Sequence, residues 1–366
     1  MKGKAVFAGR SGTNPVEYRE FRAHNTAPWD LPHTGVWFVV ADFEGRIRGW
    51  SFENTTTVET PTPQATTPSD FPGFRLDWTS SVTEEDYQTG VETIRQHIRD
   101  GRAYQVNMCR VLHAQLDTPG PAESLAAHLA AGNPAPYQGY IDVQGNHTSN
   151  SAWLVSASPE LFVSVNRTAD HWTITSAPIK GTAPTAAGLL DKDTAENIMI
   201  TDLVRNDLSH LCSPGTVVVD HLLEVEHHPG LVHLVSTVTG DLASPPITPK
   251  HWQHIFDATF PPASVSGAPK HSALSIISEL EPGPRGPYCG GFGWVDFDEG
   301  TARLCVGIRS FWWEKNSAYG PGGRLHFGTG AGITWGSDPH AEWRETQLKA
   351  QRLIALASGT PGGELT

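Results

Sequence analysis

The 366-residue sequence has few cysteines and no long hydrophobic run. Its four cysteines stand far apart and form no C-x-x-C pair, which argues against a zinc cluster or a disulfide framework and favours buried, unpaired thiols. No segment approaches the roughly 18 consecutive apolar residues of a membrane-spanning helix. The first ten residues also lack the apolar stretch of a signal peptide. We therefore expect a cytoplasmic protein that is not attached to a membrane.

Positive charge is also scarce. The chain has 26 Lys+Arg against 39 Asp+Glu, which gives a formal net charge of −13. This balance argues against a nucleic-acid-binding protein, because such a protein needs a basic face. With 12 Trp, 14 Phe and 38% hydrophobic residues, the chain has enough apolar surface for a sizeable core, which excludes global disorder.

Composition divides the chain into two regions. Residues 1–75 are predicted to be strand-rich and to end in a Thr/Pro-rich linker over 53–73, which can bury almost no apolar surface. Residues 80–360 contain most of the predicted helices. The predicted connections are mostly hairpins and show no regular strand–helix alternation, so we expect an α+β fold with antiparallel sheets.

Hydrophobic periodicity predicts the individual elements. A helix begins at Ser81 or Thr83 and ends at Gly101, because apolar residues recur at helical spacing from Tyr87 onward. A strand follows, on which Gln105 and Asn107 share a face. The other predicted helices are 194–209, capped by Asp193 or Thr194, 268–280, and a last one that opens at Ser337-Asp338-Pro339. The other predicted strands are 152–156, 161–166, 171–176, 216–220, 232–240, 291–297, 303–313 and 324–328.

A glycine run follows the last predicted strand, at 328–332. It does not match a dinucleotide-binding fingerprint, because its third glycine is misplaced and six residues separate it from the next helix. From the residues alone, the run is either a nest of backbone N–H groups for a carboxylate or a plain tight turn.

Several charged residues have both a structural and a functional interpretation. Glu342, Glu345 and Lys349 share one face of the last predicted helix, where they form either a solvated face or part of a site. Glu196 lies in the first turn of its helix, where the helix dipole already favours a carboxylate. Lys180 follows a predicted strand and is either a surface charge or, in a dry pocket, a nucleophile. Local sequence leaves these alternatives open.

Nine short blocks occur in a fixed order along the chain. They are SASPELF (156–162), PIKGT (178–182), AENIMITDLVRNDL (195–208), HLVSTV (233–238), FPPASVSGAPK (260–270), RGPYCGGFGW (285–294), VGIRS (306–310), GTGAGI (328–333) and EWRETQLK (342–349). In this order they resemble the chorismate-binding enzymes, the family that contains anthranilate, isochorismate and aminodeoxychorismate synthases. The resemblance implies that residues 80–360 form a chorismate-binding catalytic region.

The resemblance also implies a fold and a metal. The fold is that of anthranilate synthase component I, in which two layered antiparallel sheets face each other, with helices outside and the active site between the sheets. Glu196 and Glu345 match the carboxylates that hold Mg²⁺, and Glu342 is expected near the metal. This set agrees with the preference of Mg²⁺ for one or two protein carboxylates, with waters and substrate oxygens as further ligands.

Other matched positions imply how the substrate is held and activated. The set implied to bind the enolpyruvyl carboxylate is Arg309, Tyr288, Lys349 and the N–H groups around Gly330 and Gly332. The positive charges of Arg309 and Lys349 would let a protein with a net charge of −13 bind chorismate, which is a dianion. His233 matches the histidine beside the ring, and Glu160 matches the general acid that protonates the departing 4-hydroxyl.

Two positions separate the chemistries within the family. Gln105, expected to line the substrate site, stands where isochorismate and salicylate synthases carry a lysine base, and glutamine cannot take that proton. Lys180 stands in PIKGT, the motif of aminodeoxychorismate synthase component I, where anthranilate synthases have PIAGT. The resemblance implies that Lys180 attacks C2 of chorismate and that ammonia then adds at C4, which gives 4-amino-4-deoxychorismate for p-aminobenzoate synthesis.

Two alternatives remain beside this prediction. One is anthranilate synthase component I, and the other is a catalytically silent chorismate-binding or regulatory subunit. The product is expected to serve either folate or specialised metabolism.

We also expect partner proteins. No cysteine stands in a G-x-C-x-G elbow, so ammonia is expected from a separate glutamine amidotransferase subunit. No lyase-like segment follows residue 360, so a downstream aminodeoxychorismate lyase is expected in the pathway. The first 80 residues show no LLES-type tryptophan-binding motif, which argues against feedback by tryptophan.

Overall fold

The computed structural model describes residues 1–25, 27, 29, 34–58, 71–183, 185–228, 231–315 and 322–359. Residues 59–70, the middle of the predicted Thr/Pro-rich linker, lie outside this part, and a domain boundary near residue 75 stays a prediction. The helices are α1 Glu84–Arg99, α2 Ala122–Gly132, α3 Asp191–Ser209, α4 Pro249–Thr259, α5 Lys270–Leu280 and α6 Pro339–Ser358. None of these helices is both long and apolar enough to cross a membrane.

Strands make up most of the remaining regular structure. In chain order they are β1 Lys2–Phe7, β2 Arg10–Arg22, β3 Val36–Ala41, β4 Arg46–Thr57, β5 Thr79–Ser80, β6 Gln105–Gln115, β7 Tyr137–Gln144, β8 Ala152–Ser158, β9 Leu161–Arg167, β10 Trp172–Ala177, β11 Ile179–Ala183, β12 Val218–His228, β13 Leu231–Asp241, β14 Gly267–Ala268, β15 Gly291–Asp296, β16 Thr301–Val306, β17 Ser310–Glu314 and β18 Arg324–Ile333.

The strands form one continuous ladder, and every pairing within the described ranges is antiparallel. Its order is β6–β18–β17–β8–β7–β1–β2–β4–β3–β15–β16–β9–β10–β13. At the first end, β5 and β14 pair with β6, and at the other end β11 and β12 pair with β13. The ladder folds over so that its halves pack face to face, as the rings of Phe7 and Phe292, 5.0 Å apart, illustrate.

The helices cover the outside of this folded ladder. Helix α3 packs on β11, β12 and β13 at one end, and α6 packs on β18 at the other. A second apolar core lies under α2 and α6, where Leu129 and Leu353 belong to the same buried cluster as Phe311 and Phe327. The predicted α+β class, with facing antiparallel layers and helices outside, is therefore confirmed.

The predicted strand over 303–313 is wrong, because the chain breaks it into β16 and β17. Gly307 packs so closely against the preceding turn that a Cβ atom at this position would lie 2.1 Å from the Pro287 carbonyl oxygen. Arg309 then adopts a left-handed backbone conformation, with φ of +52°. The break carries the chain from β16, in one half of the ladder, to β17, in the other.

Two further local predictions also need correction. The glycine run at 328–332 is neither a nest nor a turn but the second half of β18, in register with β6, where Gly330 pairs with Cys109. Helix α3 begins earlier than predicted. Its N-cap is Leu190, whose backbone N–H donates to the Asp193 carboxylate at 2.9 Å. The earlier start places Lys192 within the helix, one turn before Glu196.

Candidate active site

A cavity of about 530 Å³ lies where the two ends of the folded ladder meet. Strands β11 and β13 and helix α3 line one side, and β18 and α6 line the other. The predicted site residues that line it are Glu160, Lys180, Glu196, His233, Tyr288, Arg309, Gly330, Gly332, Glu345 and Lys349. Gln105 stands directly behind Glu196, to which its amide donates a hydrogen bond. The structure therefore brings the whole predicted set together.

Two crossover segments between the halves of the ladder carry Glu160 and Arg309. Glu160 lies between β8 and β9, and Arg309 lies between β16 and β17. Backbone hydrogen bonds hold these segments to the neighbouring strands. The Val306 N–H donates to the Glu160 carbonyl at 3.0 Å, and the Ala157 N–H donates to the Arg309 carbonyl at 3.0 Å. Ser158 Oγ also donates to the Val306 carbonyl at 2.7 Å. Backbone bonding thus fixes both side chains relative to the cavity.

Glu160 is 3% exposed. Burial raises the pKa of its carboxyl from 4.5 to about 7, because the charged form loses hydration. The Ser264 side chain and the Ile179 backbone donate hydrogen bonds to it, and Lys180 and Arg309 lie near enough to favour the charge, so these groups limit the rise. A carboxyl with a pKa near neutrality is suited to donate a proton.

Lys180, on β11, experiences the opposite effect. Desolvation lowers the pKa of its ammonium below the usual 10.5, and the nearby Glu196 and Glu160 carboxylates only partly offset this. A lysine shifted in this direction holds more of its neutral, nucleophilic form at working pH than a surface lysine does. The cavity thus brings together a carboxyl whose pKa is raised and an amine whose pKa is lowered.

A buried polar network fixes α3 against β13. Asn197 is fully buried; its Nδ2 donates to the Leu234 carbonyl at 2.9 Å, and Ser236 Oγ donates to its Oδ1. This anchors the helix turn that carries Glu196. On the same strand His233, 1% exposed, has its Nδ1 2.8 Å from the Thr182 hydroxyl. The ring is thereby held at the cavity wall beside β11.

The carboxylates of Glu196 and Glu342 meet between α3 and α6. Gln105 Nε2 donates to Glu196 Oε2 at 2.8 Å, and Lys192 Nζ lies 3.0 Å from Glu342 Oε1 and 3.6 Å from Glu196 Oε1. The pKa of Glu196 is raised, chiefly by burial, although Lys180 and Lys192 oppose the rise. Glu196 Oε1 and Glu342 Oε2 are buried without a hydrogen-bond partner. Oxygens of this kind are the ligands that hard divalent cations take.

Glu345 lies nearer the mouth of the cavity, where its side chain is about half exposed. It forms an ion pair of 2.6 Å with Lys349, whose ammonium also donates to the Gly330 carbonyl at 3.0 Å. Burial would raise the pKa of Glu345, but the ammonium groups of Lys349, Lys192 and Lys180 together outweigh it, so the pKa is lowered from 4.5. Among the described residues no three acidic, His or Cys side chains converge as a ready-made metal site. A cation held here would therefore take several ligands from water or substrate.

The cavity also contains groups that suit an anion. Arg309 and Lys349 bring positive charge, and Tyr288, 5% exposed, brings a hydroxyl-bearing ring. The ring of Tyr288 fits only because residue 328 is glycine, since a Cβ there would lie 1.9 Å from it. Carboxylates and cations around one cavity suit a substrate that carries its own carboxylates.

Sequence reasoning did not single out four of the polar residues at this cavity. They are Asn107, Thr182, Lys192 and Ser264. For two of them, the spacing from a predicted site residue could have indicated a place at the cavity. Asn107 alternates with Gln105 on the same strand face, and Lys192 precedes Glu196 by one helical turn. Ser264 and Thr182 reach the cavity only through long-range packing.

Replacing Gly332 by alanine is expected to destabilise the protein by about 1–3 kcal/mol, the usual cost of overpacking. A Cβ there would lie 2.3 Å from Gln105 Nε2 and 3.3 Å from Glu196 Oε2, and the buried Gln105 has little room to move. Denaturant unfolding measures the change. Gly336→Ala is the matched control, because nothing lies within 4 Å of its Cβ position. Equal stability of the two variants would contradict the tight packing at 332.

Comparisons with known proteins show which proteins this chain is similar to. The family model described as chorismate binding enzyme matches residues 33–355. Anthranilate synthase component 1 of Streptomyces coelicolor is 36% identical over 292 residues, covering 76% of this chain and 52% of that protein. Aminodeoxychorismate synthase of Streptomyces pristinaespiralis is 38% identical over 283 residues, covering 74% of this chain and 36% of that protein. The chain spans about half or less of the length of these curated relatives.

A solved structure has the same fold. Anthranilate synthase component I from Streptococcus pneumoniae superposes with a TM-score of 0.74 at 23% identity, covering 95% of this chain and 92% of that one. At this identity the likeness concerns the fold alone.

Proposed function

This chain belongs to the chorismate binding enzyme family, and on that premise we propose that it aminates chorismate at C4 to give 4-amino-4-deoxychorismate. The observation that carries the proposal is the pairing of Lys180 with Glu160 in one cavity. Burial lowers the pKa of the amine and raises the pKa of the carboxyl, as a nucleophile and a general acid require. Gln105, which has no basic atom, occupies the position behind Glu196, so activation of water there is disfavoured.

The proposed reaction consists of two displacements. In the first, the neutral Lys180 amine forms a bond to C2 of chorismate, both ring double bonds shift, and the 4-hydroxyl leaves as water with the proton of Glu160. In the second, ammonia forms a bond to C4, both double bonds shift back, and the bond from C2 to Lys180 breaks to release the neutral amine. The new C4 ammonium returns a proton to the Glu160 carboxylate. Chorismate and ammonia thus give the amino product and water, and the pyruvyl ether is retained. His233 lies beside the ring, and Arg309, Tyr288 and Lys349 hold the enolpyruvyl carboxylate.

The residues present fit a Mg²⁺ ion. The buried Glu196 Oε1 without a hydrogen-bond partner and the cavity-facing carboxylate of Glu345 are hard oxygen donors, and Glu342 adds a further free oxygen nearby. The ion would be held by Glu196 and Glu345 and would neutralise the ring carboxylate of chorismate. Gln105 orients Glu196 through its 2.8 Å hydrogen bond.

Glu196→Gln and Glu345→Gln are each expected to abolish Mg²⁺-dependent turnover at ordinary Mg²⁺ concentrations, while the fold stays intact. An amide keeps the shape but removes the charge that binds the cation. Steady-state turnover across a Mg²⁺ titration tests this, with circular dichroism as the check on folding. Near-normal activity of either variant at limiting Mg²⁺ would remove that residue from the ligand set.

A second candidate is anthranilate synthase component I. Its supporting observation is that relatives with that name match this chain about as well as those named aminodeoxychorismate synthase, at 36% and 38% identity. In that reaction ammonia would attack C2 directly, and pyruvate would then be lost.

Product identification separates the two candidates. The purified chain is incubated with chorismate, Mg²⁺ and either ammonium or glutamine. We expect a product that is not fluorescent, retains the pyruvyl group by mass spectrometry, and gives p-aminobenzoate only after an aminodeoxychorismate lyase is added. A fluorescent product without the pyruvyl group would instead support the anthranilate reaction.

The nitrogen source is part of the same proposal. A separate glutamine amidotransferase subunit would supply ammonia, because the four cysteines are all buried and none is placed as an exposed nucleophile. Ammonium should therefore support turnover and glutamine should not. Glutamine-dependent turnover by the highly purified chain would contradict the need for a separate amidotransferase subunit. If chorismate is consumed with neither nitrogen source, a catalytically silent subunit is favoured.

A further inference from the structure

Lys192 bridges two buried carboxylates at the edge of the cavity. Its Nζ lies 3.0 Å from Glu342 Oε1 and 3.6 Å from Glu196 Oε1, and 3.4 Å from Ser337 Oγ. The lysine side chain is 38% exposed, whereas those of Glu196 and Glu342 are 11% and 5% exposed. A solvent-reachable ammonium thus lies over carboxylates that solvent barely reaches.

The bridge joins helices α3 and α6 through one carboxylate of each helix and Lys192. Lys192 lies one turn before Glu196 on α3, and Glu342 lies in the first turn of α6. Two carboxylates this deeply buried repel each other and need a cation between them. Lys192 is the cation that the structure places within ion-pair distance of both.

We propose that Lys192 occupies the place of the divalent cation while the metal is absent, and that it withdraws into solvent when the metal binds. The inference rests on the metal site of the proposed function. Two features carry it. The ammonium contacts both carboxylates, and each carboxylate still keeps one oxygen without a hydrogen bond, Glu196 Oε1 and Glu342 Oε2, for a stronger ligand. Lys192 therefore competes with the metal and weakens metal binding by the substrate-free protein.

The test is metal binding by the full chain without chorismate. Free Mn²⁺ is measured by electron paramagnetic resonance, and Mg²⁺ binding is measured by isothermal titration calorimetry. Lys192→Gln is expected to bind both ions about tenfold more tightly than the wild type, within the usual range of coupling between two binding events. Lys192→Arg keeps the positive charge and is expected to stay within about threefold of the wild type, as weak coupling would give.

Thermal unfolding gives a second readout. Without metal, Lys192→Gln is expected to melt below the wild type, because its buried carboxylates lose their counter-charge. Saturating Mn²⁺ should then raise its melting temperature by more than it raises that of the wild type. If Lys192→Gln does not fold, Lys192→Met, which keeps the aliphatic stem without the charge, carries the same expectation.

Glu196→Gln separates this inference from the proposed metal site. If Glu196→Gln loses Mn²⁺ binding while Lys192→Gln binds no more tightly than the wild type, the competition is refuted and Lys192 is only a tether between helices. If Glu196→Gln binds Mn²⁺ as the wild type does, or if the wild type binds none, the metal site itself is refuted and the inference falls with it.

Discussion

Replacing Lys180 by arginine is expected to reduce turnover by more than about 10³-fold, because loss of a covalent nucleophile removes the whole pathway. Arginine keeps a positive charge at the same place but stays protonated and cannot attack C2. A residue that acted only through its charge would tolerate this change. The comparison of lysine with arginine therefore separates nucleophilic from electrostatic work at position 180.

The same experiment can detect the intermediate directly. With chorismate and Mg²⁺ but no ammonia, the wild type should accumulate an adduct on Lys180, visible by intact mass and located by peptide mapping. Lys180→Ala and Lys180→Arg should show no adduct. Any residual turnover of Lys180→Ala is expected to come from direct attack of ammonia at C2, the anthranilate-type reaction.

Lys250→Arg serves as the matched control, because Lys250 is an exposed lysine on α4, outside the residues that line the cavity. It should retain both the adduct and the rate. If the wild type forms no adduct and Lys180→Arg turns over normally, Lys180 is not a nucleophile, and assignment to the C4 reaction would rest on the motif resemblance alone.

Helices whose caps and hydrophobic periodicity lie within the local sequence were predicted to within a few residues. Helix α1 runs Glu84–Arg99, and Thr83, one of its two predicted starts, is the N-cap, whose hydroxyl accepts a hydrogen bond from the Asp86 N–H at 3.1 Å. Helix α6 begins at Pro339 after the predicted cap Asp338, whose carboxylate accepts from the Ala341 N–H. Caps and helical periodicity act within a few residues, so sequence alone suffices for them.

Elements that depend on distant contacts were missed or misjudged. Helix α2 was not predicted; its sequence, AESLAAHLAAG, is apolar on most faces, because it packs against both the ladder and α6. The break between β16 and β17 depends on the approach of Gly307 to Pro287, twenty residues earlier in the chain. Nothing near Gly307 in the sequence indicates that contact. That break is also what places Arg309 at the cavity.

The candidate site likewise combines features that the sequence predicts with features that depend on distant contacts. The family resemblance selected residues from eight of the nine blocks, and the folded chain gathers them around one cavity. Local reading could not decide whether Lys180 is a surface charge, since the answer depends on burial beside Glu160, which β11 and the β8–β9 crossover bring about. Lys192 was overlooked because the helix was predicted to begin only at residue 194, and because its partner Glu342 is 150 residues away.

Replacing Glu160 by glutamine is expected to lower turnover by about 10²–10⁴-fold, the usual contribution of a general acid. The pH profile should change as well. Glu160 must be protonated to act, and its pKa is raised to about 7, so the active form of Glu160 should be lost as pH rises through about 7, which contributes a falling limb. Lys180 must be neutral, and its pKa is lowered from 10.5, so loss of its proton contributes a limb that rises with pH. Glu160→Gln should lose the falling limb and keep the rising one.

Ser264→Ala tests whether the falling limb belongs to Glu160. The Ser264 side chain donates a hydrogen bond that favours the ionised carboxylate, so its removal raises the pKa of Glu160 further. The falling limb should therefore move to higher pH while the maximal rate is largely kept. Glu85→Gln, an exposed change on α1, should leave the profile unchanged. If Ser264→Ala leaves the limb in place and Glu160→Gln retains it, the proton comes from another group.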